Sequence, residues 1–203
     1  MSPDPTSVSA TTAEGTSPAS AGDRIFKAAR ELFYRQGIHA VGVEAIAAAA
    51  GTTKMSLYRN FSSKDELVAA VLKDQDQEFW VWWDSVIAPY AGQPRRQIEA
   101  LFEEFTSRAS EEESCRGCPI ANAAVEIIDD DHPARSVVRG HHQEMRRRLQ
   151  ELCREMGARD PERLGDSLML LMGGAFLSRL VFDDIGPVES IYEASQNLLD
   201  CGE

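Results

Sequence analysis

The sequence is poor in the residues that build covalently stapled or membrane-embedded folds. Only 4 of its 203 residues are cysteine, which is too few for a disulfide scaffold and typical of a reducing compartment. No stretch approaches the run of about 20 apolar residues that a membrane-spanning helix needs. The N-terminus also lacks the basic and apolar regions of a secretory signal. We therefore expect a soluble, cytoplasmic protein that has no membrane partner.

Lysine is scarce too, and its four residues all lie before residue 76. Residues 21–75 carry eight basic and six acidic side chains, a net charge of +2. Residues 76–203 carry thirteen arginines and twenty-five acidic residues, a net charge of −12, which is also the charge of the whole chain. An overall charge of this sign repels nucleic acid, but the change of sign along the chain predicts two functional halves.

Nearly every segment after residue 20 shows the apolar spacing of helices, with a period of about 3.6 residues, and none shows the alternation of strands. The sequence therefore predicts an all-α fold of about nine helices. Gly37 is a natural end for the first helix, and Ser63 with Glu66 forms a capping box that opens the fourth. The later helices are expected at 94–109, 119–128, 133–156, 161–183 and 188–200.

Two short predicted helices, 43–50 and 54–60, are joined by a turn that contains Gly51, which is the pattern of a helix-turn-helix. In that motif the second helix enters the major groove of DNA. Leu57 and Phe61 are expected to anchor this helix to the core. The remaining side chains can donate, accept or contact apolar base edges, although spacing alone is equally compatible with a solvated face: Lys54, Met55, Ser56, Tyr58, Arg59 and Asn60. Lys64, at the next helix N-terminus, is placed to hold a phosphate.

The stretch 24–72 resembles the N-terminal DNA-binding domain of the TetR (tetracycline-repressor-like) family. It contains the family's I-A-x-x-A-G turn at 46–51, its L-Y-x-x-F at 57–61 and its S-K-x-x-L at 63–67. The resemblance makes Thr53 to Phe61 the recognition helix and Tyr58 and Lys64 phosphate contacts. Many members have Ser or Thr at 41–43, whereas this chain has Val-Gly-Val, so we expect a backbone N–H at Gly42 to replace the hydroxyl.

Residues 1–20 contain only two clearly apolar side chains, Met1 and Val8, so we expect a disordered tail. The resemblance divides the rest into a helix-turn-helix domain (21–72) and a ligand-binding and dimerisation domain (73–203). It implies that the last two helices pack against those of a second copy in a four-helix bundle. Apolar stripes on these helices suit such an interface, although they could instead face the chain's own core. The predicted interface residues are Leu164, Leu168, Leu171, Ala175, Phe182, Ile191 and Leu198.

Aromatic residues and methionines in the second half could line an apolar ligand pocket with a few polar groups. Such stripes are more often ordinary core, and they favour at most a largely apolar ligand. The candidate pocket residues are Phe79, Trp82, Trp83, Phe102, Phe105, Asn122, Glu126, His141, Met145, Met169, Met172 and Phe176.

Cys115 and Cys118 form a C-x-x-C that could be a redox pair, half of a metal site or two ordinary cysteines. The run R-G-C-P-x-x-N-x-x-x-E, with a later H-P, resembles a subgroup pattern of the TetR family and implies a structural role for Cys118. A thiol sensor is the second reading, because a helix N-terminus lowers a thiol pKa. We expect neither a metal nor a cofactor.

The sequence thus predicts a homodimeric transcriptional regulator, most simply a repressor, that binds a palindromic operator in double-stranded DNA and responds to a small-molecule effector. The alternatives are a thiol-responsive regulator that uses Cys115 and Cys118, a helical redox enzyme, and a helical sensor that binds protein. No nucleophile, base and orienting group occur at a recognisable spacing, so we expect no enzyme.

Overall fold

The computed structural model describes residues 19–111, 116–182 and 186–202. Nine α-helices and two short 3-10 segments, Ala88–Tyr90 and Gly186–Ser190, make up most of this part of the chain, which confirms the predicted all-α fold. Residues 1–18 of the predicted tail lie outside the described residues. The helices are α1 (Ala21–Gln36), α2 (Val43–Ala49), α3 (Lys54–Asn60), α4 (Lys64–Ile87), α5 (Pro94–Glu111), α6 (Pro119–Glu126), α7 (Ala134–Glu155), α8 (Pro161–Val181) and α9 (Ile191–Gly202).

Side-chain caps explain where several helices begin. The side chains of Thr53, Ser63 and Asp160 each accept the backbone N–H three residues further on, at 3.2, 3.0 and 3.1 Å, which satisfies a donor that the helix itself leaves unpaired. At α1 the bonds are reciprocal, since Ser20 and Asp23 each accept the other's backbone N–H. This last cap was missed because Ser20 fell in the predicted tail.

The helices enclose two hydrophobic cores that share α4. The first core joins α1, α2 and α3 to the N-terminal half of α4, to α6 and to the start of α7. The second joins the C-terminal half of α4 to α5, α8, α9 and the rest of α7. Leu67 is buried in the first core and Trp83 in the second, so one continuous helix is part of both cores.

The backbones of α7 and α8 meet at Gly165. A Cβ atom at this position would lie 2.7 Å from Cγ of Gln150 and 2.8 Å from its Cα, which no real side chain tolerates. Glycine is therefore required here for close approach rather than for an unusual backbone angle.

The apolar stripe predicted for dimerisation lies largely inside the chain. Leu164, Leu168, Ala175 and Ile191 are buried in the second core of the single chain, and Ala175 and Ile191 also line a surface groove. Their contact with a second copy stays a prediction. Leu171 and Leu198 pack partly against the same core, and only Phe182 is substantially exposed.

A different side of α8 carries exposed apolar side chains. Leu170, Leu177 and Val181 are 76%, 61% and 66% exposed, and Gly173 and Gly174 lie between them. Because α8 is apolar around most of its circumference, its periodicity could not tell the buried side from this one. The helix is also long and apolar enough to cross a bilayer by length and composition, which the sequence analysis did not anticipate. Apolar helices of soluble proteins pass the same test.

Candidate nucleic-acid interface and ligand cavities

A tight turn sets the angle between α2 and α3. The N–H of Ala50 donates to the carbonyl of Ile46 and that of Thr52 to Ala47, both at 2.9 Å, which closes the end of α2. Gly51 has a φ of 58°, in the left-handed region that favours glycine. The chain then enters α3 through the Thr53 cap, so the turn and the cap together fix the start of the predicted recognition helix.

One side of α3 is anchored and the other faces solvent. Leu57 is fully buried in the first core, and Phe61 packs partly against it. Met55 is 67% exposed, which is unusual for an apolar side chain but suits contact with a base edge. The exposed side of α3 also carries Lys54, Tyr58, Arg59 and Asn60, and Ser56 is half-buried beside them.

The polar side chains of α3 bond to their own surroundings. Lys54 Nζ donates to Glu44 Oε1 at 2.6 Å, which links α3 to α2. The hydrogen bond and charge of Lys54 lower the pKa of Glu44, and those of Glu44 raise the pKa of Lys54. Asn60 Nδ2 donates to the carbonyl of Ser56 at 2.8 Å. One N–H donor of Lys54 and one of Asn60 are therefore used within the chain.

Lys64 has a structural contact that the sequence did not predict. Its Nζ donates to the carbonyl of Ile38 at 2.6 Å and lies 6.0 Å from the ring centroid of Phe33. The half-buried lysine thereby ties the start of α4 to the segment between α1 and α2, and two of its three N–H donors remain for a phosphate. Gly42 is exposed immediately before α2.

Glu126 connects α6 to the helix-turn-helix. Its Oε2 accepts the N–H of His39 at 3.0 Å, and its carbonyl lies 2.7 Å from His39 Nε2. The carboxylate also sits 3.1 Å from where a Cβ of Gly37 would be, and the φ of 91° at Gly37 favours glycine there. The predicted role of Glu126 as a polar group of a ligand pocket is therefore replaced by a contact between the two halves.

Asn122 is likewise used at this junction. Its Nδ2 donates to the carbonyl of Arg116 at 2.8 Å, and the N–H of Arg116 donates to the hydroxyl of Tyr34 on α1 at 2.7 Å. The cavity beside Asn122 and Glu126 has a volume of about 20 Å³, which is room for one water molecule at most. No ligand of useful size fits there.

Five of the predicted pocket residues are buried core. Trp83, Phe102 and Met172 are fully buried, and Phe105 and Met145 nearly so, in the second core. The structure therefore assigns them to packing between helices rather than to a cavity wall. Phe176 stacks edge-on against the Phe105 ring, with 4.6 Å between the centroids.

His141 is a buried polar residue among aromatic rings. Its Nδ1 lies 2.8 Å from Asp76 Oδ1, which also accepts the indole N–H of Trp80 at 2.8 Å. Its ring meets that of Phe79 edge-on at 4.7 Å. Burial lowers the pKa of His141, and the hydrogen bond to Asp76 opposes this only in part, so the ring is neutral near pH 7.

Two larger cavities contain the other predicted pocket residues. A cleft of about 530 Å³ lies between α1 and α4 and includes Phe79 and Trp82 in its wall. A groove of about 370 Å³ on the outer side of α7 includes Met169, and its wall also contains Arg135, Arg139 and Arg146. The predicted pocket is thus divided among a core, a domain junction and two separate cavities.

Sequence reasoning missed the ion pairs of Arg30. Its Nη1 lies 2.8 Å from Asp74 Oδ2 and 2.7 Å from Glu78 Oε1, and its Nη2 bonds to the second oxygen of Glu78. The pairs join α1 to α4 across more than forty residues of sequence. The available signal was the spacing of Asp74 and Glu78, which puts two carboxylates on one face of α4.

Cys118 is buried at the N-cap of α6, directly before Pro119. Cys115 lies outside the described residues, so the geometry of the predicted C-x-x-C is not given. Across 19–111, 116–182 and 186–202, no three His, Cys, Asp or Glu residues are grouped to hold a metal ion. Burial raises the pKa of Cys153 to about 11, which leaves that thiol protonated and unreactive.

A recognition helix with an exposed polar side, fixed by a tight turn and continued through α4 into a second helical domain, defines a helix-turn-helix DNA-binding regulator. Family comparison agrees with this class. The profile described as "Bacterial regulatory proteins, tetR family" matches residues 25–71, and "Tetracyclin repressor-like, C-terminal domain" matches residues 94–194. The chain belongs to the TetR family of transcriptional regulators, which confirms the resemblance in its sequence. These regulators are not enzymes, so the redox-enzyme alternative is dropped.

Solved structures of the family match over most of the chain. A TetR transcriptional regulator from Streptomyces avermitilis is 32% identical, with a TM-score of 0.79, over 91% of this chain and 98% of that one. A TetR-family transcriptional regulator from Streptomyces coelicolor is 28% identical, with a TM-score of 0.84, over 92% of this chain and 91% of that one.

Two further relatives match very different shares of the chain. The HTH-type transcriptional regulator LmrA of Bacillus subtilis is 24% identical over 77% of this chain and 85% of its own length. The HTH-type transcriptional activator FasR of Mycolicibacterium smegmatis is 52% identical, but over only 46 residues, 23% of this chain and 21% of FasR. The chain thus matches only about a fifth of FasR.

Proposed function

We propose that the protein is a homodimeric repressor that binds a palindromic operator through α3 and leaves it when a small, largely apolar ligand binds. The observation that carries this proposal is the exposed side of α3, held outward by buried Leu57 and by the cap at Thr53. We further assign the chain to the TetR subgroup that carries the R-G-C-P-x-x-N-x-x-x-E run, and we place it in the cytoplasm.

The exposed side of α3 divides into two roles in this proposal. Side chains near its centre read base edges in the major groove, and the flanking groups hold phosphates. Met55 supplies an apolar contact of the kind that a thymine methyl group accepts. The proposed base-reading residues are Lys54, Met55, Ser56, Arg59 and Asn60, and the proposed phosphate-contacting residues are Gly42, Thr53, Tyr58 and Lys64.

Dimerisation is proposed to use the exposed side of α8 rather than the stripe predicted from the sequence. Two recognition helices must be held about 34 Å apart to read successive half-sites of a palindrome. Leu170, Leu177 and Val181 supply the apolar area, and Gly173 and Gly174 permit close approach. Leu171, Phe182 and Leu198 keep enough exposed surface to contribute at the edges.

Ligand release follows from thermodynamic linkage. A ligand lowers affinity for DNA only if it binds better to a dimer whose recognition helices are wrongly spaced. Because α4 is part of both cores, a change at its C-terminal half moves its N-terminal half, which is tied to the helix-turn-helix through Lys64. The acidic second half turns the basic side of the dimer towards DNA.

Titration onto the intergenic DNA upstream of the protein's own coding region tests this function. We expect saturable binding to one palindromic segment, with an affinity that falls steeply as salt rises. Repeating the titration with and without reductant tests the thiol-responsive alternative. Because Cys118 is buried, we expect reductant to leave DNA binding unchanged. Binding no tighter than to random DNA, there and in a selection across genomic fragments, would contradict the proposal.

Two substitutions on α3 separate base reading from phosphate contact. Arg59→Ala is expected to relax preference at one position of each half-site, with a loss of about 1–3 kcal/mol against the preferred base. Tyr58→Phe is expected to weaken binding to all sequences alike, because a phosphate carries no sequence information. Competition assays against single-base operator variants distinguish the two results, and exposed Lys73→Ala on α4 is the control. Unchanged base preference in Arg59→Ala would contradict its role.

A further inference from the structure

The cleft between α1 and α4 lies outside the predicted pocket except at Phe79 and Trp82. It has a volume of about 530 Å³ and is formed mainly by residues of these two helices, with Arg108 of α5 and Pro119 of α6 also in its wall. A volume in this range accommodates a small organic ligand. Because one wall belongs to the DNA-binding half and the other to α4, a ligand here would act directly on the joint between them.

Cations outnumber carboxylates in the lining of the cleft, and Asp74, just outside the lining, also pairs with Arg30. The cations of the lining are Lys27, Arg30 and Arg108, and its carboxylates are Glu31 and Glu78. Both carboxylates are already bound, Glu78 by Arg30 and Glu31 by Arg35 at 3.4 Å. Arg108 is bound by Glu104 at 3.2 Å.

Lys27, in contrast, makes no ion pair with any residue in the described ranges. An entering anion would therefore find one unpaired cation in the wall of the cleft. The same anion would also meet Arg30, whose guanidinium presents a planar set of donors suited to a carboxylate.

The floor of the cleft is aromatic. The rings of Phe79 and Trp82 lie 5.3 Å apart and tilted, and the Arg108 guanidinium stacks over Trp82 at 5.2 Å. The indole N–H of Trp82 is buried and has no hydrogen-bond partner among the described residues. An unpaired buried donor is costly, so an acceptor atom on a ligand would stabilise it.

We propose that this cleft is an effector site for an aromatic or apolar carboxylate. The carboxylate binds between Lys27 and Arg30, and the apolar body lies on Phe79 and Trp82. This inference rests on the proposed function in one respect, that a ligand controls DNA binding. The carboxylate competes with Glu78 for Arg30, so its binding loosens the attachment of α1 to α4 and changes the presentation of α3.

A matched pair of probes tests the site. Isothermal titration of the full chain with 2-naphthoate and with its neutral counterpart, 2-naphthamide, compares the same ring system with and without the charge. We expect 2-naphthoate to bind at least about tenfold more tightly, since a charge-assisted bond to Arg30 contributes more than a neutral one. Equal binding of the two probes, or binding of neither, would overturn the proposal.

Two charge variants of the cleft are expected to change the affinity for 2-naphthoate in opposite directions. Lys27→Gln is expected to weaken 2-naphthoate binding about threefold and leave 2-naphthamide unchanged, because one exposed charge contact is lost. Glu78→Gln is expected to tighten 2-naphthoate binding, because it frees Arg30 from its competitor. Lys73→Gln, an exposed lysine of α4 outside the cleft, is the control and should change neither. Weaker binding in a folded Glu78→Gln protein would contradict the competition.

Operator binding separates failure of this site from failure of the proposed function. If the site is correct, 2-naphthoate lowers the affinity of the protein for its operator, and the effect weakens in Lys27→Gln. A protein that binds its operator but does not discriminate between the probes overturns the site alone. A protein that discriminates between the probes but binds no DNA overturns the proposed function and leaves the carboxylate site standing.

Discussion

Glu44 holds the lysine that we propose reads base edges. The 2.6 Å pair between Lys54 and Glu44 places a carboxylate beside the surface that must approach phosphates. Both side chains are exposed, so the pair contributes little to folding, and its main effect is on the charge offered to DNA.

Glu44→Gln is therefore expected to raise affinity for DNA. The substitution removes a negative charge beside the DNA-facing surface and releases Lys54 from its ion pair, so affinity should rise and should depend more steeply on salt. Fluorescence anisotropy at several salt concentrations measures both quantities. Glu193→Gln, an exposed acid on α9, is the control. Affinity and salt slope like those of the unaltered chain would show that Lys54 stays away from the DNA.

A charged substitution tests whether the exposed side of α8 is the dimer interface. Leu177 is 61% exposed, so Leu177→Glu should leave the fold of one chain intact. If this side is the dimer interface, a charge there opposes association, and light scattering should show a monomer with reduced affinity for a palindromic site. Gln143→Glu, exposed on α7, is the control. A Leu177→Glu protein that remained dimeric would place the interface elsewhere.

The packing of α4 against α7 predicts a dependence of stability on pH. Burial lowers the pKa of His141 below that of an unfolded histidine, about 6.5. The unfolded chain therefore binds more protons between the two pKa values, so stability is full above about pH 6.5 and declines as pH falls towards the folded pKa.

Thermal unfolding between pH 5 and 7.5 measures this dependence. In His141→Gln the loss of stability between these pH values that is due to His141 should disappear, because no buried imidazole remains to be protonated. His142→Gln, at the neighbouring position, should keep it. Parallel pH profiles for the unaltered chain and His141→Gln would assign the effect to other groups.

Helices were easier to predict than the sides they bury. Each of the nine was predictable from apolar spacing and from caps such as Thr53 and Asp160, because these signals are local. The side that α8 buries was not, because Leu168 and Leu170 are equally apolar and only tertiary packing separates them. The same limit applied to Phe102, since a core residue and a pocket residue have the same sequence signal. For the ion pair of Arg30 with Glu78 the sequence showed only that Asp74 and Glu78 share a face of α4, and tertiary packing selected their partner.

The two halves of the molecule are joined by more than α4. Glu126 and Arg116, at the two ends of the α6 region, bond to His39 and to Tyr34 in the first half. Glu126→Ala should therefore destabilise the helix-turn-helix domain by about 1 kcal/mol, the worth of a typical hydrogen bond. Calorimetry should show its unfolding a few degrees earlier, while Glu155→Ala, exposed at the end of α7, leaves it in place. An unchanged unfolding profile in Glu126→Ala would mean that the junction adds nothing to stability.

The contact of α7 and α8 at Gly165 has a consequence for how the molecule moves. At Gly165 the backbones of the two helices approach so closely that no side chain fits, which opposes sliding of one helix past the other. The pair should therefore behave as one rigid body, and its amide hydrogens should be among the slowest in the chain to exchange with deuterium. Displacement on ligand binding is then left to the helices around this pair, and slow exchange in α7 and α8 should persist when α1 and α4 separate.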